Sequence, residues 1–265
     1  MGLKKVVAGL ASVAALLMLV VSGSAADTTV VVSGDTAGGE NQPGWLFNRD
    51  PNNVTPFEFN FDEASIGAGS LNVLPISANG PDKFIGEYFY LGTVEDFDSV
   101  SYDFLIGDGG DASDANQFYL NVYANLPTSA VTAFYDCRFD YIPSSGSTLD
   151  FSTFSIDKTT IADNVKARNN AVCPMTLENL PAGSTIRMFS LNVGDTNAND
   201  AGLDGYLDNV ILSSDGMTTT FDFDPAPQTK DDCKNGGWQD YEAYDFKNEG
   251  ECVSFVASNG RSQGQ

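Results

Sequence analysis

Two loops of the chain concentrate side chains that end in carboxylate or amide oxygens. In the segment 194–212, GDTNANDAGLDGYLDNVIL, these side chains are Asp195, Asn197, Asn199, Asp204 and Asp208. In the segment 107–117, GDGGDASDANQ, they are Asp108, Asp111 and Asp114. Calcium is bound by about six to eight oxygen ligands, so each loop predicts a structural calcium site.

The longer loop does not match an EF-hand. Asp200 occupies the position that must be glycine in an EF-hand loop, and Tyr206 occupies the position of its closing glutamate. The alternative for both loops is a set of Asn- and Asp-rich turns, in which the side chains accept hydrogen bonds from nearby backbone amides. The residues alone leave both interpretations open.

A second group of polar residues is predicted to share one face of a sheet. Tyr119, Asn121 and Tyr123 alternate with apolar residues, and Asp136 and Arg138 alternate with apolar residues in the segment 131–141. Tyrosine rings can stack on sugar rings, while amide and charged groups bind hydroxyls. These five residues therefore predict a glycan-binding face. The alternative is a face that is simply buried or solvated.

The chain contains no histidine. Catalysis by a Ser-His-Asp or Cys-His arrangement and zinc sites built on histidine are therefore excluded. A glycosidase needs two carboxyl groups about 5–9.5 Å apart, and 36 acidic residues supply such pairs by chance without distinguishing any of them. We expect a protein that is not an enzyme, and we rank a carboxylate-based glycoside hydrolase last among the hypotheses.

The elements that must position these groups are short strands. Segments in which apolar and polar residues alternate recur between clusters of Gly, Asn, Asp, Ser and Pro, whereas no long segment shows a 3.6-residue apolar period. The pattern predicts an all-β fold, a jelly-roll-like β-sandwich with a small disulfide-linked C-terminal segment. Short helical turns are expected at residues 152–157 or 161–168, and Trp45 is expected to pin the N-terminal segment to the core.

The strand candidates share this alternation, and Phe57, Phe59 and Phe61 are expected on one face of theirs. They are residues 28–32, 56–61, 70–74, 83–90, 100–106, 117–123, 131–141, 186–193, 206–212 and 217–223.

The chain divides into five segments. Residues 1–26 read as a signal peptide, because Lys4 and Lys5 precede an apolar run that ends in small residues. Residues 27–224 form the predicted β-sandwich, and residues 225–229 read as a stiff linker because they contain two prolines. Residues 230–257 form a small cysteine-paired segment, and the polar residues 258–265 are expected to be a disordered tail.

Charge and cysteines restrict the partners and the compartment. A net charge of −23 is unsuited to nucleic acid and to an anionic membrane surface, and we expect no membrane contact for the mature form. An exported chain with an even number of cysteines is expected to form disulfides. Three connectivities are open for the four cysteines, and proximity along the chain favours Cys137–Cys173 and Cys233–Cys252.

Two segments resemble known families. Residues 69–73, GSLNV, and residues 206–211, YLDNVI, resemble jelly-roll carbohydrate-binding modules and galactose-binding-like domains. The resemblance implies glycan binding and a structural calcium held in part by Asp208. Residues 233–238, CKNGGW, with residues 246–256, FKNEGECVSFV, resemble a C-terminal segment of uncharacterised exported bacterial proteins. That resemblance implies bacterial export and the Cys233–Cys252 pairing.

These observations lead to two main hypotheses. The first is a secreted or cell-surface, non-catalytic β-sandwich that binds glycan or another extracellular surface ligand and is stabilised by calcium. The alternative is a structural protein of the cell surface or matrix that mediates assembly and binds no small ligand.

Overall fold

A computed structural model describes residues 27–36, 39, 42–49, 55–77, 83–129, 134–194 and 201–258. The predicted signal peptide, the tail after residue 258 and the predicted calcium ligands Asp195, Asn197 and Asn199 lie outside these residues. The chain folds into β1 (Thr28–Val31), β2 (Gly44–Phe47), β3 (Phe57–Asn60), β4 (Ser70–Val73), β5 (Phe84–Thr93), β6 (Phe97–Ile106), β7 (Phe118–Asn125), β8 (Cys137–Tyr141), β9 (Ser152–Asp157), β10 (Asn164–Ala167), β11 (Thr185–Val193), β12 (Gly205–Ser214), β13 (Met217–Asp222) and α1 (Glu249–Ala257).

The strands form two sheets that pack face to face, which confirms the predicted β-sandwich. The six-stranded sheet has the order β10-β8-β7-β11-β5-β2. In the seven-stranded sheet, β6 and then β9 lie on one side of β12, whereas β4 and β13 share its other side. The strands β3 and β1 extend this second side, next to β4 and β13 respectively.

Alternation along the strands places the core between the sheets. On β7, Phe118, Leu120 and Val122 are fully buried and face the other sheet, as predicted. Trp45 on β2 is 1% exposed and packs edge-on against Phe223, with ring centroids 5.1 Å apart. The expectation that Trp45 anchors the N-terminal segment is therefore confirmed.

Three local expectations are wrong. Residues 152–157 form β9 and residues 164–167 form β10 rather than helical turns, because the edges of β6 and β8 offer them a full ladder of hydrogen bonds. Of the predicted strand over 131–141, residues 131–133 lie outside the described residues, residues 134–136 are not in a strand, and β8 begins at Cys137. Phe61 lies beyond the end of β3, is 44% exposed, and contacts Tyr241 instead of joining Phe57 and Phe59.

The C-terminal segment has a small core of its own. Disulfides join Cys137 to Cys173 and Cys233 to Cys252, so both predicted pairs are present. Cys233 and Cys252 pack with Tyr244, Phe246 and Phe255, and Val31 of β1 borders this cluster. Short 3₁₀ turns over Lys234–Asp240 and Glu242–Tyr244 precede α1. Within the described part of the chain, no helix has the length and apolar character needed to cross a bilayer.

The buried carboxylate of Asp208 lies on β12 between the residues that pair with β4 and those that pair with β13. Asp208 is fully buried, and its Oδ1 accepts hydrogen bonds from the backbone N–H of Asn209 (2.7 Å) and Phe223 (3.1 Å). Its Oδ2 accepts hydrogen bonds from the backbone N–H of Ser65 and Ile66, each at 3.0 Å. The Asp208 side chain thus accepts hydrogen bonds from four backbone N–H groups that have no strand partner at this break in the ladder.

We expect Asp208→Asn to lower the free energy of unfolding by about 2–4 kcal/mol, because an amide leaves buried N–H groups without an acceptor. Urea unfolding followed by tryptophan fluorescence measures the loss. Asp204→Asn is the matched control, since Asp204 is half-buried and its Oδ1 accepts a hydrogen bond from the backbone N–H of Gly109 (2.8 Å). Equal stability of the two variants would contradict the role of Asp208.

Candidate functional site

The outer face of the six-stranded sheet carries rows of polar side chains across its strands. In the central row, the paired residues run from Glu87 on β5 through Ser190 on β11 and Asn121 on β7 to Asp140 on β8 and Asn164 on β10. Strand alternation places all five on the side away from the core. The outer face of this sheet therefore carries a continuous row of polar side chains across five adjacent strands.

Asp140 is the centre of a hydrogen-bond network in this band. Its carboxylate accepts hydrogen bonds from Arg138 Nε (2.7 Å), from a terminal nitrogen of Arg138 (2.9 Å), from Asn121 Nδ2 (2.8 Å) and from Asn164 Nδ2 (3.1 Å). Asn192 Nδ2 donates to Asn121 Oδ1 (3.2 Å) and extends the network to β11. Bidentate pairing with a carboxylate fixes the plane of the Arg138 guanidinium.

Aromatic rings and cations flank the network. Tyr123 contacts Phe134 and Tyr135, with ring centroids 5.5 and 5.2 Å apart. The guanidinium of Arg168 lies 4.3 Å from the centre of the Tyr135 ring, and that of Arg187 lies 5.3 Å from the centre of the Phe134 ring. Each contact places a positive charge against an aromatic face, where ring electrons attract it.

Two clefts open beside these rings and share Phe134. One has a volume of about 330 Å³ and is lined by Arg49, Ile85, Glu87, Tyr123 and Phe134. The other has a volume of about 590 Å³, and its lining includes Tyr135, Asp136 and Arg168. Volumes of roughly 300–1,000 Å³ are typical of sites for small ligands. The clefts are therefore large enough for one or a few sugar rings.

Burial shifts two titrating groups at the first cleft. Desolvation raises the pKa of Tyr123 to about 12, so its hydroxyl stays neutral and can both donate and accept a hydrogen bond. Desolvation also raises the pKa of Glu87, although the charges of Arg49, Lys83 and Arg187 oppose the rise. Arg49 Nε lies 2.9 Å from Glu87 Oε2. Arg49 thus pairs directly with the Glu87 carboxylate.

The structure brings four of the five predicted glycan-binding residues together. Tyr119, Asn121 and Tyr123 lie on the outer face of β7, and Arg138 lies beside Tyr123 on β8. Asp136 is separate. Its Oδ2 accepts a hydrogen bond from the backbone N–H of Leu126 (3.0 Å) and its Oδ1 accepts one from Asn169 Nδ2 (3.1 Å), so it holds two loops at the end of the sheet.

Sequence reasoning missed several residues of the same face. Asp140 continues the alternation of Asp136 and Arg138, so the pattern alone could have found it. Lys83 and Asn192 gave no such signal, because only strand order brings them to Tyr119; Lys83 Nζ lies 3.4 Å from both the Tyr119 hydroxyl and Asn192 Oδ1.

The loop 107–117 uses its acids as a helix cap. Asp111 Oδ1 accepts a hydrogen bond from the backbone N–H of Ser113 (2.7 Å), and Asp114 Oδ2 accepts one from the backbone N–H of Asp111 (2.8 Å). This capping box starts a 3₁₀ turn at Ala112–Gln117. Hydrogen bonding to Ser113 is the main cause that lowers the pKa of Asp111. The geometry matches the alternative interpretation, in which Asp side chains satisfy nearby amides.

The two oxygen-rich loops nevertheless meet in space. The backbone N–H of Gly107 donates to the carbonyl of Asp204 (3.0 Å), so Asp108 and Asp204 belong to adjoining turns. Across the described ranges, no group of three or more His, Cys, Asp or Glu side chains is arranged to hold a metal ion. The predicted ligand Asp208 already accepts four backbone hydrogen bonds, which leaves its oxygens little capacity for a cation.

Comparison with known proteins gives only distant similarities. No protein-family model matches the chain, and no curated protein matches it. Among solved structures, the enzymatically active domain of bacteriophage CBA120 tailspike protein 4 is 12% identical with a TM-score of 0.37, and the match covers 64% of this chain and 19% of that one. The chain thus spans about a fifth of the length of that domain's chain.

Two carbohydrate-binding modules are similar to the same degree. One, TmCBM27, is described for specific mannan recognition; it is 15% identical, the match covers 64% of this chain and 88% of that one, and the TM-score is 0.29. The other, CBM28, is described as specific for non-crystalline cellulose; it is 15% identical, the match covers 69% and 98%, and the TM-score is 0.35. At these TM-scores the likeness carries no argument about the ligand of this chain.

Proposed function

We propose that the protein is an exported glycan-binding module and that the outer face of the six-stranded sheet is its binding surface. One observation carries the proposal: Tyr119, Asn121, Tyr123 and Arg138 share the outer face of two adjacent strands, and Tyr123 also lines a cleft of about 330 Å³. Rings offer stacking surfaces for sugar rings, and fixed amide and guanidinium groups offer hydrogen bonds to hydroxyls.

The rigidity of this surface supports the proposal. Asn121, Ser190 and Asn192 are 1% exposed and hydrogen-bonded in the floor, whereas Tyr119, Tyr123 and Arg138 are partly exposed above it. A site held by buried hydrogen bonds loses little side-chain freedom when a ligand binds.

Charge narrows the glycan to one that carries acidic groups. Although the chain has a net charge of −23, six of its 13 basic residues lie on or beside this face. They are Arg49, Lys83, Arg138, Lys166, Arg168 and Arg187. Arg49 and Arg138 already pair with Glu87 and Asp140, so carboxylate or sulfate groups on a sugar would pair with exposed cations such as Lys166 and Arg168. Arg pairs with such groups through two parallel hydrogen bonds.

The carboxyl groups of the face do not match a glycosidase. Glu87 and Asp140 lie in one row but three strand spacings apart, which corresponds to roughly 14 Å between their backbones. Hydrolysis with two carboxyl groups requires a separation of about 5–9.5 Å. Asp140 is also occupied by Arg138, Asn121 and Asn164. These facts support binding without cleavage.

We expect Tyr123→Ala to weaken binding to polygalacturonate about tenfold, because it removes a ring beside the cleft, and Tyr119→Ala to weaken it by a smaller factor. Affinity electrophoresis and titration calorimetry measure the change. Tyr206→Ala is the matched control, since Tyr206 is half-buried on the other sheet, where burial and the nearby acids Asp62 and Glu63 raise its pKa. Unchanged binding in Tyr123→Ala, or release of reducing sugars from the polymer, would refute the proposed function.

The acidic preference has its own test. We expect Lys166→Gln to weaken polygalacturonate binding about threefold at low salt, with the difference shrinking as salt is added, because salt screens exposed charges. Lys158→Gln is the control, since Lys158 lies 3.6 Å from Asp98 near the edge of the other sheet. Binding of neutral mannan with equal affinity would show that the acidic preference is wrong while leaving glycan binding intact.

A further inference from the structure

A third cleft lies in the C-terminal segment and shares no residue with the glycan-binding face. Its volume is about 240 Å³, and it is lined by Trp238, Gln239, Tyr241, Glu242, Asp245 and Phe246. Three of these side chains are aromatic, two end in carboxylates, and none is Lys or Arg. Pockets for whole small ligands span roughly 300–1,000 Å³, so this cleft suits a single compact group.

The three aromatic rings are held in place by their neighbours. Phe246 is 8% exposed and stacks on Tyr244, with ring centroids 5.5 Å apart. Tyr241 meets Phe61 from the end of β3, with ring centroids 5.4 Å apart, so the sandwich itself positions this ring. Trp238 packs against the same small core and stays partly exposed. Rings that are fixed in this way lose little freedom when a ligand binds between them.

A tight turn places the two carboxylates at the cleft. Glu242 begins the 3₁₀ turn Glu242–Tyr244, and the backbone N–H of Asp245 donates to the carbonyl of Glu242 (3.1 Å). Asp245 has a φ of 47°, in the left-handed region that only a few residue types tolerate. Both side chains are exposed, and among the described residues neither forms an ion pair or accepts a hydrogen bond. Their charge is therefore available to a ligand.

The charge around the cleft is negative, in contrast to the basic glycan-binding face. Residues 230–258 contain seven acidic residues and three lysines. Burial raises the pKa of Tyr241, and the charges of Asp232 and Asp240 add to the rise, so the Tyr241 hydroxyl stays neutral. A concave site lined by one sign of charge raises the local concentration of ligands of the opposite sign.

We propose that this cleft binds a quaternary ammonium group such as that of choline. The faces of aromatic rings attract cations, and recognition of quaternary ammonium groups is the best-attested use of that attraction. Trp238, Tyr241 and Phe246 would contact the methyl groups, while Glu242 and Asp245 supply the counter-charge. The ligand is a free cation rather than a phosphate-linked choline headgroup, because the surrounding acids repel phosphate.

Tryptophan fluorescence of the mature protein with both disulfides intact tests the proposal. The chain has two tryptophans, and Trp45 is 1% exposed in the core of the sandwich, so a change caused by a ligand reports Trp238. Choline chloride at low salt is expected to give a saturable change with a dissociation constant in the millimolar range. The neutral carbon isostere of choline, in which a tert-butyl group replaces the trimethylammonium group, is expected to bind at least about tenfold more weakly. Equal binding of the isostere, or no response to choline, would overturn the proposal.

Variants separate the charge from the rings. The double variant Glu242→Gln with Asp245→Asn is expected to weaken choline binding about tenfold, and Asn retains the left-handed backbone at residue 245. Tyr241→Leu keeps an apolar side chain but removes the ring, and is expected to weaken binding about fivefold. Glu249→Gln is the matched control, since Glu249 is an exposed acid of the same segment that does not line the cleft. The proposed site is wrong if the double variant binds choline as well as the control does.

Two further measurements identify the source of the ligand and isolate this site from the glycan-binding face. Phosphocholine is expected to bind at least about fivefold more weakly than choline, because its phosphate meets the acids around the cleft. Equal or tighter binding of phosphocholine would show that the inference of a free cation is wrong. The double variant is expected to keep its full affinity for polygalacturonate, and a loss there would contradict the independence of the two sites.

Discussion

The carboxylate of Asp208 is the interaction on which the architecture depends most. It lies where one edge of β12 passes from β4 to β13, a place where a continuous sheet ladder is interrupted. Four backbone N–H groups from three separate stretches of chain donate to it. Burial raises its pKa to about 6, although these hydrogen bonds oppose the rise. The turn 65–69, the bulge after Asp208 and the end of β13 are positioned through this one group.

That arrangement has an electrostatic consequence. Burial raises the pKa of Asp222 to about 7, and the nearby charges of Asp224 and Asp208 add to the rise. The negative charge of Asp222 and Asp224 is therefore unfavourable in this buried region, whereas the charge of Asp208 is stabilised by the four backbone N–H groups that donate to it. The same principle appears on the opposite sheet, where Asp140 is surrounded by donors and Arg138 completes the neutralisation. Buried acids in this protein are stabilised as carboxylates where enough donors reach them, and where donors are few their pKa is raised.

Much of the fold followed from local patterns. Phe118, Leu120 and Val122 alternate with Tyr119, Asn121 and Tyr123, and a strand with one buried face requires that alternation. Helical turns were predicted at 152–157 and 161–168 because their short patterns are compatible with a turn. These segments form strands because they pair with the open edges of β6 and β8, which the sequence pattern does not reveal. Asp136 shows the limit of periodicity: it continues the pattern of β8, but its strand begins one residue later, and its carboxylate is used to hold loops.

The sequence by itself determined the sandwich, the polar face of β7 and the absence of histidine-based chemistry, since each depends on residue type or on spacing within one segment. It favoured the two disulfides that form without excluding the other pairings. Only the tertiary structure decided which strands lie side by side. That order placed Lys83 and Asn192 next to Tyr119, and it brought Asp222 and Asp224 to Gly67 across 155 residues or more. The physical reason is that hydrogen bonds, charge and burial act over a few ångströms in space, whereas the residues that meet at such a distance are set by chain topology.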